Sequence, residues 1–469
     1  MASATKNNAL LERWAGTLQR CRNRPAIHDA SGAVARTFED VETESRQIAG
    51  ILPSLPEGSV MGVQLANSPS WPALLVALLR RRFVPLPLGI GMHEHERNEA
   101  LATCCAGGVV VLRGKRLVFE PSGGVYRATD CDFLKLTSGT TSAPRAIRFR
   151  AHQLAVDCDN VCDTMGITDA DLNFGVVAFS HSYGFSNLIT PLLCRGVPIV
   201  ASEDTLPRAM LAQLANSGAT VFPGTPVFYQ SLAELENIPP LPALRLCISA
   251  GAPLPPRAAA KFSQKFGRKI HTFYGASECG GIGYDRGDSL DYEAGFLGSP
   301  MNGVQIEQRK DATIEVRGEA VGDGYFPEDD TATLDGKRFV PADLVHCTER
   351  GMYLAGRVAD VINVAGRKLN PLEAETKLQS CPGLRQVVVF GVPSPHRNES
   401  VIACVAGTLG AEDFLRFARS QLSAWQVPKD VWIVEGIPMD ERGKINRREL
   451  AQRYLAARKA TPTDDRSLR

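Results

Sequence analysis

Ala219-Thr-Val-Phe222, Leu244-Arg-Leu-Cys-Ile-Ser249 and Ile270-His-Thr-Phe273 read as strands, and the stretches between them, Pro226 to Leu235 and Pro256 to Phe266, read as helices. This alternation predicts a parallel α/β layer. The same order stands earlier in the chain. Ser59-Val-Met-Gly-Val-Gln-Leu65 is strand-like, a buried helix follows the cap signals of Asn67-Ser-Pro-Ser70 and runs through Leu79, and Arg82-Phe-Val-Pro-Leu-Pro-Leu88 is a second strand. Ligands of open α/β sheets sit in the crevice beyond the carboxyl ends of the strands. The segments just after the strands, Ala250-Gly-Ala-Pro253 and Tyr274-Gly-Ala-Ser-Glu278, are therefore candidate site segments.

The texture changes beyond Phe296. Ile306 to Glu307, Ala312 to Arg317, Arg338 to Val340 and Gly351 to Leu354 are short, turn-separated strands that predict a small antiparallel unit. From about Arg357 an α+β segment follows: a hairpin around Val361 to Leu369, a helix from Pro371, strands at Gln386–Phe390 and Val401–Val405, and a helix near Ala411 to Leu422. The polar tail from Ala460 predicts disorder.

With 469 residues, the chain has room for roughly two or three folding units. Lys and Arg number 52 against 51 Asp and Glu, a formal charge of +1, so no net field draws the chain toward nucleic acid or anionic lipid. The apolar run Trp71 to Leu79 stops at Arg80-Arg81-Arg82, far short of the ~20 residues that span a bilayer, so no membrane insertion is expected. Met1 to Asn8 carry no apolar core of a secretory signal. The 12 cysteines include no CxxC pair and are expected as reduced, packed thiols, which points to a cytoplasmic enzyme. The polar stretch Glu42-Thr-Glu-Ser-Arg46 hardly interrupts the pattern around it, and His93-Glu-His-Glu96 reads as a solvated helix start more readily than as a metal site.

Three segments hold the chemistry. Leu134-Lys-Leu-Thr-Ser-Gly-Thr-Thr-Ser-Ala-Pro-Arg145 runs from an apolar strand into small and hydroxylated residues and ends on a cation, the composition of a phosphate cradle. It is not a GxxxxGK[ST] loop, which argues against a mononucleotide P-loop fold. In Tyr274-Gly-Ala-Ser-Glu278 the aromatic ring can stack on a purine, the serine can donate to a phosphate, and the glutamate can hold Mg2+ through hard oxygens. In Pro438-Met-Asp-Glu-Arg-Gly-Lys-Ile-Asn-Arg447 a lysine behind a glycine can reach into a cleft. Taken singly, each also has a plain reading: a Ser/Thr linker, a turn with a solvated glutamate, a solvated surface lysine.

Taken together, their wording and order resemble the adenylate-forming superfamily of acyl-CoA synthetases, peptide-synthetase adenylation domains and luciferases, and among these the acyl-CoA ligases most. Thr137 to Arg145 resembles that family's TSGTTGxPK, Tyr274 to Glu278 its YGxTE, Gly356 to Gly366 its GRxDDxIKxxG, and Pro438 to Arg447 its PxTxxGKxxR. Ser249 to Leu254, Gly324-Tyr325 and Val387 to Pro393 are similar more weakly. Arg145 stands for the loop lysine, Ser142 for a glycine, Ala359 for the hinge acid, Thr272 for an adenine-side asparagine, and Pro341-Ala-Asp343 for TGD.

The resemblance implies an α/β fold with a large N-terminal domain over 1–357, built of layered α/β subdomains and a small β-barrel-like unit. A small mobile α+β C-terminal domain over 358–456 would follow, then a disordered tail over 457–469. It further implies activation of a carboxylic acid by ATP to an acyl-adenylate, then transfer to a thiol, either CoA or the phosphopantetheine of an acyl carrier protein. Lys444 would hold the carboxylate and the bridging phosphate oxygens. Thr137, Ser138, Gly139, Thr140 and Thr141 would take the pyrophosphate, Tyr274 the adenine, Asp343 and Arg357 the ribose, Ser277 the α-phosphate and Glu278 the Mg2+, with Arg145, Gly251, Ala252, Pro253 and Gly275 also binding the nucleotide. His181, in Phe179-Ser-His-Ser-Tyr-Gly184, would wall or gate the acyl group, and Gly280-Gly281 would leave room for it. Gly366 would approach the pantetheine once the C-terminal domain swings about residues near Ala359. No Asp stands near His181 to pair a substrate ammonium, so fatty or aryl acids fit better than α-amino acids. A degenerate nucleotide-binding protein without turnover is the contrasting possibility.

Overall fold

The protein is described by a computed structural model, which covers residues 8–125, 131–137, 145–394, 398–439 and 445–460. The chain divides into two compact units. One comprises Met1–Glu307, Glu315–Pro341 and Thr348–Met352; the other comprises Gln308–Ile314, Ala342–Cys347 and Tyr353–Arg469.

The first unit holds two largely parallel sheets. In one, the strands follow the order Val84–Pro87, Val60–Gln64, Gly108–Arg113, Arg116–Pro121, the first three parallel and the last an antiparallel edge. Every residue of Val60–Gln64 is buried, as expected of a parallel strand covered on both faces. The helix Trp71–Arg80 makes the crossover, and all of its residues through Leu79 are buried. The second sheet runs Val34–Thr37, Pro25–His28, Ile199–Ala201, Asn173–Gly175, Val221–Gly224, Leu246–Ser249, Ile270–Ala276, Gly280–Tyr284, Phe296–Pro300. Its middle is parallel from Pro25–His28 through Ile270–Ala276, and its far end turns antiparallel. Pro226–Glu234 and Pro256–Phe266 are the expected helices. The strand from Ile270 runs on to Ala276 because Gly280–Tyr284 pairs back on it, so Tyr274, Gly275 and Ala276 belong to the strand and not to a following loop.

The second unit is α+β. Its sheet orders Arg367–Leu369, Ile362–Val364, Asn398–Gly407 and Leu384–Ser394, with Asp430–Ile433 added parallel to Asn398–Gly407. The central pair is longer than expected because helices cover both faces. Val387, Val389, Val401, Ala403 and Val405 pack with Leu378 and Phe414 of the helices Pro371–Leu378 and Ala411–Gln421. The alternate residues Val388, Phe390, Ile402 and Cys404 pack with Leu450 and Tyr454 of Arg447–Ala460. The two-residue period of a strand thus supplies two cores.

Glu42, from the polar stretch Glu42–Arg46, is buried. Its residue is 6% exposed, in the helix Phe38–Ile51. Trp14 Nε1 donates to it at 2.8 Å, Arg46 Nε at 2.7 Å and Arg80 at 3.0 Å. Burial, the largest influence, pushes the carboxyl up, but the hydrogen bonds from Trp14, Arg46 and Arg80 outweigh it and leave the group below its ordinary value. A carboxyl depressed on folding adds stability that is complete at neutral pH and is lost as pH falls from about 4.3 through the lower folded value. Glu42→Gln is expected to cost about 1.5–3 kcal/mol at pH 7. Urea denaturation should show that difference shrinking at pH 3.5, and a pH-independent difference would contradict the assignment.

All twelve cysteines are free thiols, and most are buried. Among the described residues no helix is long and apolar enough to cross a membrane, and no three or more His, Cys, Asp or Glu side chains cluster around a common metal position. His93 caps the helix Glu94–Thr103, its N–H bonded to Glu96 at 2.8 Å, so that segment is the solvated helix start expected of it.

Candidate active site

The strands Phe133–Leu136 and Ala146–Phe149 pair antiparallel, Leu136 opposite Ala146. Thr137 closes the connection between them: its N–H donates to the Arg145 carbonyl at 2.8 Å and its Oγ1 at 3.1 Å. The expected cradle residues Ser138, Gly139, Thr140 and Thr141 lie outside the described residues, but the two ends of their loop are held together. Arg145 lays its guanidinium over the Tyr325 ring, 4.0 Å from the centroid, a planar contact for which arginine is better suited than lysine. Tyr325 comes from the strand Gly324–Phe326, which pairs with Ala146–Phe149 on the same small sheet. Its hydroxyl donates to Glu278 Oε1 at 3.1 Å. Burial first, then Glu278, hold the phenol well above its usual range, so it remains a donor.

Glu278 and Ser277 follow the strand Ile270–Ala276, and the Glu278 carbonyl accepts the Gly322 N–H at 2.8 Å. Ser277 Oγ accepts a bond from Ser182 Oγ at 2.8 Å. Ser182 follows half-buried His181, which caps one short turn before the π turn Phe185–Ile189, a rare form that often marks functional sites. Tyr183 is anchored by its hydroxyl on the Ile248 carbonyl at 3.0 Å. Thr137 and Arg145 and the segments 181–186, 277–281 and 322–325 are thereby linked, although they are far apart in sequence. Tyr274 is half-buried in its strand, and Gly275 is exposed beside it. Gly251 has φ +90° with no heavy atom within 4 Å of a Cβ built on it, so the turn Gly251-Ala252-Pro253 after Leu246–Ser249 needs glycine for backbone conformation.

Gly280 and Gly281 do not open space for a ligand. A Cβ on Gly280 would meet Asp157 Oδ1 at 2.0 Å, and one on Gly281 would meet Met301 Sδ at 2.5 Å. The chain's own side chains fill that volume, which corrects the expectation that these glycines make room for an acyl group. Sequence reasoning passed over Asp157, Lys135 and Ser182. The first two leave a trace in the sequence, since each is a charge set within an apolar pattern, as in Leu134-Lys-Leu136.

In the second unit, Arg357 Nε donates to Asp343 Oδ1 at 2.9 Å. Gly366 is exposed, with φ +84°, and follows Ala365 at φ +52°, so the two form the tight turn between Ile362–Val364 and Arg367–Leu369. Ala359 is exposed in the short helix Val358–Asp360. Lys444 lies outside the described residues. Just past it, Arg447 binds Asp360 at 2.9 Å and Glu375 at 2.8 Å.

A family model described as AMP-binding enzyme matches residues 11–125 and 124–326, and one described as AMP-binding enzyme C-terminal domain matches residues 373–444. A probable CoA ligase of Humulus lupulus is 28% identical over 357 residues, which are 70% of this chain and 67% of that one. A feruloyl-CoA synthase of an Amycolatopsis species is 24% identical over 483 residues, spanning 90% of this chain and 95% of its own. Among solved structures, ATP-bound MatB from Rhodopseudomonas palustris superposes with a TM-score of 0.84 at 23% identity, covering 94% of this chain and 98% of that one.

Proposed function

The chain belongs to the AMP-binding enzyme family, and on that premise we propose that it activates a fatty or aryl carboxylic acid with ATP and passes the acyl group to the thiol of CoA. The observation that carries the reading is the joining of the phosphate-loop end to the Ser277–Glu278 turn through Arg145 and Tyr325, with Ser182 bonding the His181 segment to the same turn.

The acid attacks the α-phosphorus of ATP, pyrophosphate leaves, and an acyl-adenylate forms. The thiol then displaces AMP. Two anions meet in the first step, so the protein must supply positioning and positive charge. The loop from Thr137 to Arg145 takes the pyrophosphate, Ser277 donates to the α-phosphate, and Tyr274 stacks on the adenine. Asp343, oriented by Arg357, accepts from the ribose hydroxyls. Lys444 holds the incoming carboxylate against the bridging oxygens.

Glu278 presents a half-buried carboxylate steadied by a phenol, a hard oxygen donor that suits Mg2+. Bound there, Mg2+ supplies charge neutralisation at the phosphates. His181 faces the acyl group, and Gly366 approaches the pantetheine arm in the thiol-transfer step. That step follows a swing of a C-terminal domain, residues 358–456, about residues near Ala359.

ATP–pyrophosphate exchange across a panel of fatty, aryl, dicarboxylic and α-amino acids tests the proposal. Exchange with a fatty or aryl acid and none with amino acids is expected, followed by thioester formation on free CoA. Failure of every acid would leave a nucleotide-binding protein without turnover. Thioester on a holo-carrier protein alone would move the acceptor from CoA to the carrier.

A further inference from the structure

Asp157 lies on the helix Ala151–Met165 and is 3% exposed. Both of its carboxylate oxygens are engaged: Oδ2 accepts from Ser186 Oγ at 2.6 Å, and Oδ1 accepts the Gly281 N–H at 3.0 Å. Ser186 belongs to the π turn that directly follows His181–Gly184, and Gly281 to the strand that directly follows Ser277–Glu278. The carboxylate therefore bridges the acyl-side segment and the phosphate-side turn. Its approach is close enough that Gly280, at φ +72°, has no room for a side chain against it. The bond from Ser182 to Ser277 is a second tie between the same two segments.

The charge arrangement points the same way. Lys135 is 5% exposed, and among the described residues its amine has no hydrogen-bond partner. It lies 4.6 Å from the Phe149 ring centroid and 5.5 Å from that of Phe185. Burial, the largest influence, pulls the Lys135 ammonium below its ordinary value, and Asp157 is foremost among the charges that oppose it.

We propose that Asp157 is a positioning residue for acid activation, fixing the Ser277–Gly281 turn against the His181–Ser186 segment so that Ser277 and Glu278 meet the reacting groups at set places. This rests on the roles proposed above for Ser277 and Glu278.

The test compares Asp157→Ala, Asp157→Asn and Ser186→Ala in the full chain, by ATP–pyrophosphate exchange and by amide hydrogen exchange of the Gly280–Tyr284 strand. Misplacing reacting groups by about 1 Å costs up to 10²-fold, so Asp157→Ala should lower the exchange kcat by about 10–10²-fold while the KM for ATP stays nearly constant. Asp157→Asn keeps an oxygen for the Gly281 N–H and should recover most of that loss. The strand amides should exchange faster in the alanine variant and stay protected in the asparagine variant. Unchanged kcat and amide protection in Asp157→Ala, or an asparagine variant no better than alanine, would overturn the proposal. Should Asp157→Ala not fold, Ser186→Ala carries the test. A several-fold loss of kcat at an unchanged Tm supports the role, and no loss overturns it. If the parent enzyme exchanges with no acid, the functional reading fails, yet the amide-exchange contrast between alanine and asparagine still decides what Asp157 does.

Discussion

Lys444→Ala is expected to reduce carboxylate-dependent pyrophosphate release by a factor on the order of 10²–10³, the usual loss when one preorganised donor to a developing charge is removed. The reason is local to the first half-reaction. There a carboxylate and a triphosphate, both negative, are pressed together, and the Lys444 cation, next to Gly443 in sequence, can neutralise the carboxylate and the bridging oxygens at once. The second half-reaction starts from an adenylate already formed and needs no such cation. Thioester formation from supplied acyl-AMP and CoA should therefore continue at close to the parent rate. Pyrophosphate release and thiolysis measured separately on the same preparation check this, and an equal fall in both would remove Lys444 from the role.

Arg447→Met is expected to destabilise the C-terminal unit by about 3–5 kcal/mol, the cost of stranding a buried partner. Arg447 joins Asp360 Oδ2 at 2.9 Å, both oxygens of Glu375 at 2.8 Å and the Val389 carbonyl at 3.1 Å. Glu375 is 6% exposed and also accepts the Val389 N–H at 2.7 Å. Burial, the largest influence, raises the Glu375 carboxyl, and Arg447 opposes the rise, so without the arginine the acid tends to take up a proton. Hydrogen exchange across Leu384–Ser394 and Asn398–Gly407 reports on this unit directly. The double variant Glu375→Gln, Arg447→Met should regain part of the loss, since no charge is then left buried. A single variant with unchanged exchange in those strands would contradict the assignment. Because Arg447 opens the last helix just past Lys444, the first half-reaction should weaken with it.

Much of this molecule follows from neighbours along the chain. The patterns of Val60–Gln64, Trp71–Arg80 and Leu246–Ser249 marked the parallel layers, because burial on both faces forces continuous apolar runs, while Pro256–Phe266 showed the one-sided pattern of a covering helix. The wording of Thr137 to Arg145 and Tyr274 to Glu278 carried the family likeness, because phosphate contact demands small and hydroxylated residues at consecutive positions. The burial of Glu42 was not legible, because a polar stretch on a helix gives no sign of whether Trp14 and Arg80 will close over it.

The sequence by itself determined the order of the elements, the family and the residue types offered to the nucleotide, since these depend on local spacing and on residues a few positions apart. The tertiary structure alone decided that Gly280 yields its space to Asp157, that Arg145 rests on Tyr325, and that Tyr325 steadies Glu278. Those pairings join residues separated by up to more than a hundred positions, and a chain can bring them within hydrogen-bond distance only after its sheets have assembled and excluded water around them.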